Sequence, residues 1–253
     1  MRPATAISKH LSERPLLTTF VAMHDPTVVG LIAAAGFDGV IIDQEHGAMP
    51  ISVARTLILA AHAAGMYAFV RPPDIRRGSL QDALEAGADG LLAPMVETFE
   101  QARALVGWSH YPPEGSRGFH PLTGASSYSA LPGGPAARNA SLFVAAQIET
   151  ARGLANLEAI AAVPGLDALF LGPGDLSLSL GVAPDAPELH AALASLANAT
   201  RSRNIHAGTW VAGAPQAAQA HALGVRWLVA GGDAGMLLQA ARGLAGDVRN
   251  VLV

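Results

Sequence analysis

Five short stretches carry the residues that could do chemistry. They are Asp43-Gln44-Glu45-His46, Arg71-Pro72-Pro73, Arg117, Gln147-Ile148-Glu149 and Gly172-Pro173-Gly174-Asp175. Most close an apolar run that reads as a β-strand. Glu149 and Asp175 are hard oxygen donors with nothing softer beside them, a set that suits Mg²⁺ or Mn²⁺. The alternative is that Asp175 caps the helical stretch 176–180. His46, next to Asp43 and Glu45, has the residue type of a general base oriented by a carboxylate. Its alternative is a turn histidine bonded to backbone. Arg71 sits before two prolines, so its backbone is extended and stiff. A planar guanidinium there suits a carboxylate or an enolate oxygen, or else an Arg–Asp pair bracing the rim. Arg117 reads as a solvated loop arginine, with an anion contact as the alternative. The other histidines, except the strand-opening His206, read as surface or helix residues.

Composition narrows the chemistry. The chain of 253 residues has no cysteine and a single lysine, Lys9. Thiol catalysis, thiolate metal sites and disulfides are excluded, and a Schiff-base lysine is disfavoured. With 51% apolar residues, 14% charged residues and a net charge of −4, the sequence predicts a folded core and no nucleic-acid partner. No run is long and apolar enough for a membrane span, and residues 1–17 lack a secretory pattern. These features predict a cytoplasmic protein.

The elements that position these residues alternate. Eight strands are predicted at 16–23, 39–46, 67–72, 90–96, 142–149, 168–173, 206–211 and 227–230. Helical windows lie between them, and Gly-containing turns such as Ala-Gly-Phe-Asp-Gly (35–39) and Ala-Gly-Ala-Asp-Gly (86–90) lead into several strands. Near-continuous apolar strands mean that both faces are covered. Eight β/α units in this length predict an α/β fold, a (β/α)8 TIM barrel in one domain spanning 1–253, with its site at the C-terminal strand ends. An open doubly wound sheet is the runner-up, and no GxGxxG follows the first strand. The Gly-, Pro- and Ser-rich connection 111–140 reads as a lid or binding loop.

The segments 37–46 (FDGVIIDQEH), 91–96 (LLAPMV), 111–118 (YPPEGSRG), 147–150 (QIET) and 170–177 (FLGPGDLS) together resemble the HpcH/HpaI aldolase family. The resemblance implies a class II, divalent-metal-dependent pyruvate aldolase. It would act on 4-hydroxy-2-oxo acids through a pyruvate enolate, with oxaloacetate decarboxylation as a side activity. The substrates implied are pyruvate or hydroxypyruvate and an aldehyde. Glu149 and Asp175 would bind Mg²⁺ or Mn²⁺, with Co²⁺ or Zn²⁺ as further candidates. His46 would be the base and Arg71 would steady the enolate. Gln147, Gly172, Pro173, Gly174 and Asp175 would contact the 2-oxo acid. Asp43 would support His46 or a metal-bound water. Glu85 stands where the family has an aspartate that raises the basicity of the histidine. Gly174 replaces a common alanine, and the 118–121 loop is bulkier than usual. The family also implies a homotrimer or homohexamer with an exchanged C-terminal helix. Competing readings are a lyase or decarboxylase for a CoA ester or 2-oxo diacid, a non-catalytic 2-oxo-acid-binding barrel, and a phosphate-handling isomerase using Ala230-Gly231-Gly232-Asp233.

Overall fold

The computed structural model describes residues 5–125 and 133–252. Eight parallel strands close into a barrel in sequence order. They are β1 (Leu16–Val21), β2 (Gly39–Asp43), β3 (Tyr67–Arg71), β4 (Gly90–Ala93), β5 (Phe143–Ile148), β6 (Ala168–Leu171), β7 (His206–Val211) and β8 (Trp227–Gly232). The predicted fold class is therefore observed. The twelve helices among the described residues are α1 (Thr5–Glu13), α2 (Thr27–Ala34), α3 (Ile51–Ala63), α4 (Arg77–Glu85), α5 (Phe99–Ser109), α6 (Gly134–Asn139), α7 (Ala151–Ala155), α8 (Leu157–Ala161), α9 (Pro173–Leu180), α10 (Pro187–Arg203), α11 (Ala214–Ala222) and α12 (Asp233–Val251). None is long and apolar enough to cross a membrane.

Alternation along the strands makes two apolar layers. Inside the barrel, Phe69, Phe143, Phe170 and Trp227 pack with Ile41, Leu92 and Val229. Phe143 and Phe170 meet Trp227 edge-on, 5.7 and 5.3 Å between ring centroids. So many large rings fit one interior because their neighbours are small. A Cβ on Gly208 would come within 2.7 Å of the Phe170 ring, and one on Gly90 within 2.9 Å of Phe69. The Trp227 indole N–H donates to Thr18 Oγ1 at 2.9 Å, so the buried ring carries no unmet donor. α1 adds Ile7 and Leu11 to this interior cluster. The outer layer joins the strands to the surrounding helices.

β1, β2, β4 and β6 stop two or three residues short of the predicted ends, while β8 runs two residues further. The residues beyond, 44–46 and 94–96 among them, leave the ladder and form the rim. The loop between α5 and β5 also differs from expectation. It runs from a helix C-terminus into a strand N-terminus, so it lies at the barrel end opposite the rim. Asn139 ties its two ends together. Its Oδ1 accepts the Tyr111 N–H at 2.8 Å and its Nδ2 donates to the Tyr111 carbonyl at 2.9 Å. The described parts of the loop therefore lie away from the rim of their own barrel; residues 126–132 lie outside the described residues.

Candidate active site

Asp43 and Arg71 end neighbouring strands and face each other in register. Arg71 Nε donates to Asp43 Oδ1 at 3.0 Å and Nη2 to Oδ2 at 2.6 Å, a two-pronged pair that is almost wholly buried. Nη1 lies 3.2 Å from Glu45 Oε2, and the guanidinium carbon sits 4.5 Å over the Phe20 ring. Burial works against the charge of Arg71. The hydrogen bonds and charge of Asp43, with Glu45 and Glu149, outweigh it and raise its pKa. The rim-bracing pair is thus present, and it leaves the guanidinium among acids.

Glu149 follows β5 and is 2% exposed. It does not cap the next helix; Thr150 does, accepting the Gly153 N–H at 3.0 Å. Glu149 is left to face the rim, where Oε1 accepts the Met95 N–H at 2.7 Å and Oε2 accepts from Gln147 Nε2. Met95 has φ 54, a left-handed backbone unusual for a side chain of its size, and this turn carries the N–H that meets Glu149. Burial, with the charges of Glu45 and Asp175, pushes Glu149 up to about 7, against the Met95 N–H and Arg71. Glu45 is raised too, first by burial, although Arg71 and His46 pull it down. Asp175 is exposed in the first turn of α9. Gly172 is the N-cap of that helix, and Pro173 its first residue.

These observations test the fit of a cation. Three carboxylates, Glu45, Glu149 and Asp175, act on one another, offset by Arg71 and, at Glu45, also by His46. The Gln147 Oε1 atom is buried with no partner among the described residues. A Cβ on Gly172 would come within 2.7 Å of Gln147 Nε2 and 2.8 Å of Glu149 Oε2, so these groups sit against this backbone only because it carries no side chain. Surplus negative charge and an unpaired buried oxygen fit a divalent cation at Glu149 and Asp175.

The structure brings Asp43, Arg71, Gln147, Glu149, Gly172, Pro173, Gly174 and Asp175 to one end of the barrel. His46 follows β2 at the same end. Its side chain is 62% exposed, and its Nε2 lies 3.8 Å from Glu45 Oε2. Asp43 supports the His46 backbone, not its ring: Oδ1 accepts the N–H groups of Glu45 and His46 at 3.1 and 3.3 Å. Glu85 is not brought to His46 within the chain. It ends α4 beside the N-terminal end of β4, where Arg117 Nη2 donates to its Oε1 at 2.7 Å. Arg117 is not a solvated loop residue; it is buried, its guanidinium carbon 4.6 Å over Tyr111. His110 is likewise buried, with Nδ1 3.0 Å from the Val106 carbonyl.

Phe20 and Met95 serve the site without having stood out in the sequence as site residues. Asp233 opens α12, and its carboxylate accepts the N–H groups of Ala22, Met23 and Ala234 at 2.7–3.1 Å. A carboxylate already fills this helix start, which removes the support for a phosphate loop at Ala230–Asp233.

A cavity of about 1030 Å³ opens over this end of the barrel, with Arg71, Gln147 and the segment 172–175 in its wall.

The family model described as HpcH/HpaI aldolase/citrate lyase matches residues 16–241. A 4-hydroxy-2-oxovalerate aldolase of Novosphingobium aromaticivorans is 40% identical over 71% of this chain and 69% of its own length. A hydroxypyruvate/pyruvate aldolase of Deinococcus radiodurans is 35% identical over 94% of this chain and 87% of its own. The crystal structure of an HpcH/HpaI aldolase/citrate lyase family protein from Burkholderia cenocepacia superposes with a TM-score of 0.90 at 29% identity, covering 96% of this chain and 99% of that one.

Proposed function

The chain belongs to the HpcH/HpaI aldolase/citrate lyase family, and from that premise we propose that it is a divalent-metal-dependent pyruvate aldolase. The substrates proposed are a 4-hydroxy-2-oxo acid in the cleavage direction, and pyruvate or hydroxypyruvate with an aldehyde in the reverse. The observation that carries the reading is Glu149, buried beside Gln147 and near Asp175, opposite a guanidinium that Asp43 has already locked in place.

Glu149 and Asp175 would hold Mg²⁺ or Mn²⁺, with Co²⁺ and Zn²⁺ as further candidates. The cation would act as a Lewis acid on the 2-oxo group, drawing charge from the carbonyl beside the breaking carbon–carbon bond. Arg71 supplies a fixed positive charge to the oxygen on which negative charge develops. It needs no reorganisation, because Asp43 and Phe20 already fix it. Gln147 and the open backbone of Gly172–Gly174 give the carboxylate end of the 2-oxo acid a seat. His46, exposed on the rim, would take the hydroxyl proton of the aldol as the aldehyde leaves, and return one in condensation. The same set would let oxaloacetate lose CO₂ as a side activity. Glu85 has no part in this chemistry within one chain. The leucines exposed along α12, Leu237, Leu238 and Leu244, support a homotrimer or homohexamer.

The test is pyruvate release from a 4-hydroxy-2-oxo acid. A chelator should abolish it, and added Mg²⁺ or Mn²⁺ should restore it. Release that survives complete chelation overturns the metal-dependent reading.

A further inference from the structure

The cavity is far larger than a three-carbon 2-oxo acid requires. At about 1030 Å³ it lies at the upper end of the range for sites that enclose a drug-sized ligand, about 300–1,000 Å³. Beyond the wall already described, a second part of its lining runs past the C-terminal end of β7 to α10 and α11, where Leu189, Leu193, Val211 and Ala220 line it and are buried. Its outer edge carries Asp185, His190, Trp210, Gln216 and Gln219.

The charge inventory of this second part is specific. Among the described residues, Arg71 is the only lysine or arginine in the lining, and Asp43 and Glu45 already engage it. Acids, in contrast, stand in the wall at Asp175 and Asp185. A tail ending in a carboxylate, phosphate or sulfonate would therefore lose water here, meet no guanidinium or ammonium, and face Asp185. An uncharged tail would bury apolar surface on the leucines and could hydrogen-bond at its far end to the Gln216 and Gln219 amides.

We propose that the lobe between α10 and α11 seats the aldehyde partner, and that it selects uncharged aldehydes over those bearing an acidic group. The proposal rests on the aldolase reading above, and the experiment separates the two. The purified enzyme with Mn²⁺ and pyruvate is given pentanal or 4-oxobutanoate, which are close in length and differ in the terminal carboxylate. In parallel, exchange of the pyruvate methyl protons with D₂O is followed by NMR, which needs no aldehyde. The expected result is a kcat/KM for pentanal at least ten-fold above that for 4-oxobutanoate. Gln219→Arg, which puts a cation at the lobe, should lower that ratio at least ten-fold; a ratio is insensitive to a general loss of activity. Equal or better use of 4-oxobutanoate by the unmodified enzyme overturns the inference, and so does a ratio unmoved by Gln219→Arg. Methyl exchange without condensation of pentanal overturns it too, while leaving the aldolase reading standing. Neither exchange nor condensation overturns the aldolase reading and the inference with it.

Discussion

Asp43 and Arg71 are register partners at the ends of adjacent strands, and their side chains close on each other through two hydrogen bonds of 3.0 and 2.6 Å. The barrel itself sets this relationship, because parallel pairing brings residue 43 level with residue 71. Phe20 then supports the guanidinium from below and Glu45 approaches its third nitrogen. Arg71 is thus held before any substrate arrives, the condition under which a charge contributes most to a transition state.

Breaking this pair should be costly in two separable ways. Asp43→Ala leaves a buried guanidinium without its main partner and should destabilise the protein by about 3–5 kcal/mol in chemical denaturation. Arg71→Lys keeps a charge but loses the fork, and should lower kcat by roughly 100-fold or more. Wild-type kcat in Arg71→Lys would remove the role assigned to the guanidinium.

Gly172→Ala should act on the cation and spare the fold. The added methyl meets Gln147 Nε2 and Glu149 Oε2 at 2.7 and 2.8 Å, while the backbone φ of −92 is one that alanine adopts freely. Titration calorimetry should show Mn²⁺ affinity falling at least roughly ten-fold, with little change in the denaturation midpoint. Unchanged affinity would mean that the donors do not converge at Gly172.

Asp167 gives a pH signature outside the site. Its carboxylate accepts the Val144 N–H at 2.7 Å, yet burial pushes its pKa up to about 6. Below about pH 4 the group is neutral both folded and unfolded. Between about pH 4 and 6 the unfolded chain ionises first, so folding weakens as pH rises, and above that the penalty is constant. Asp167→Asn cannot ionise. Wild-type stability relative to this variant should therefore fall from about pH 4 to about pH 7 in denaturant titrations. A gap that does not move with pH contradicts the assignment.

Asp233 should prove to be an anchor. Replacing it by Ala leaves the N–H groups of Ala22, Met23 and Ala234 without their acceptor, at a cost of about 1–3 kcal/mol. The loop after β1 should loosen, read as faster amide exchange at Ala22 and Met23. Asp233→Asn, which keeps one acceptor oxygen, should recover part of the protection. Unchanged exchange in the alanine variant would show that the loop holds itself.

Much of the fold and the rim is legible in the order of residues alone. Near-continuous apolar strands opened by Gly-containing turns specify the barrel, and the polar residues closing them mark the rim. Where a side chain goes once its strand ends is not legible in the same way. Residues 94–96 look like a continuing strand because Met95 and Val96 are apolar, and 44–46 simply follow the apolar run 39–42 without a Gly or Pro break, yet both segments leave the ladder and aim Glu45 and the Met95 N–H at the centre. Glu85 and the 111–140 connection hold chemically suggestive residues, and only their position after helices α4 and α5 puts them at the far end. Phe20 carries no signal at all, since an aromatic residue in a strand is ordinarily core.

The central claim is that Glu149 holds the cation on which pyruvate chemistry depends. Its most direct test is the Mn²⁺ activation curve for pyruvate release, measured on metal-free wild type and on Glu149→Gln. The predicted result is saturable activation from zero in the wild type, and activation in the variant that is absent or shifted at least ten-fold toward higher Mn²⁺. Superimposable curves, or full release by the metal-free wild type, would contradict it.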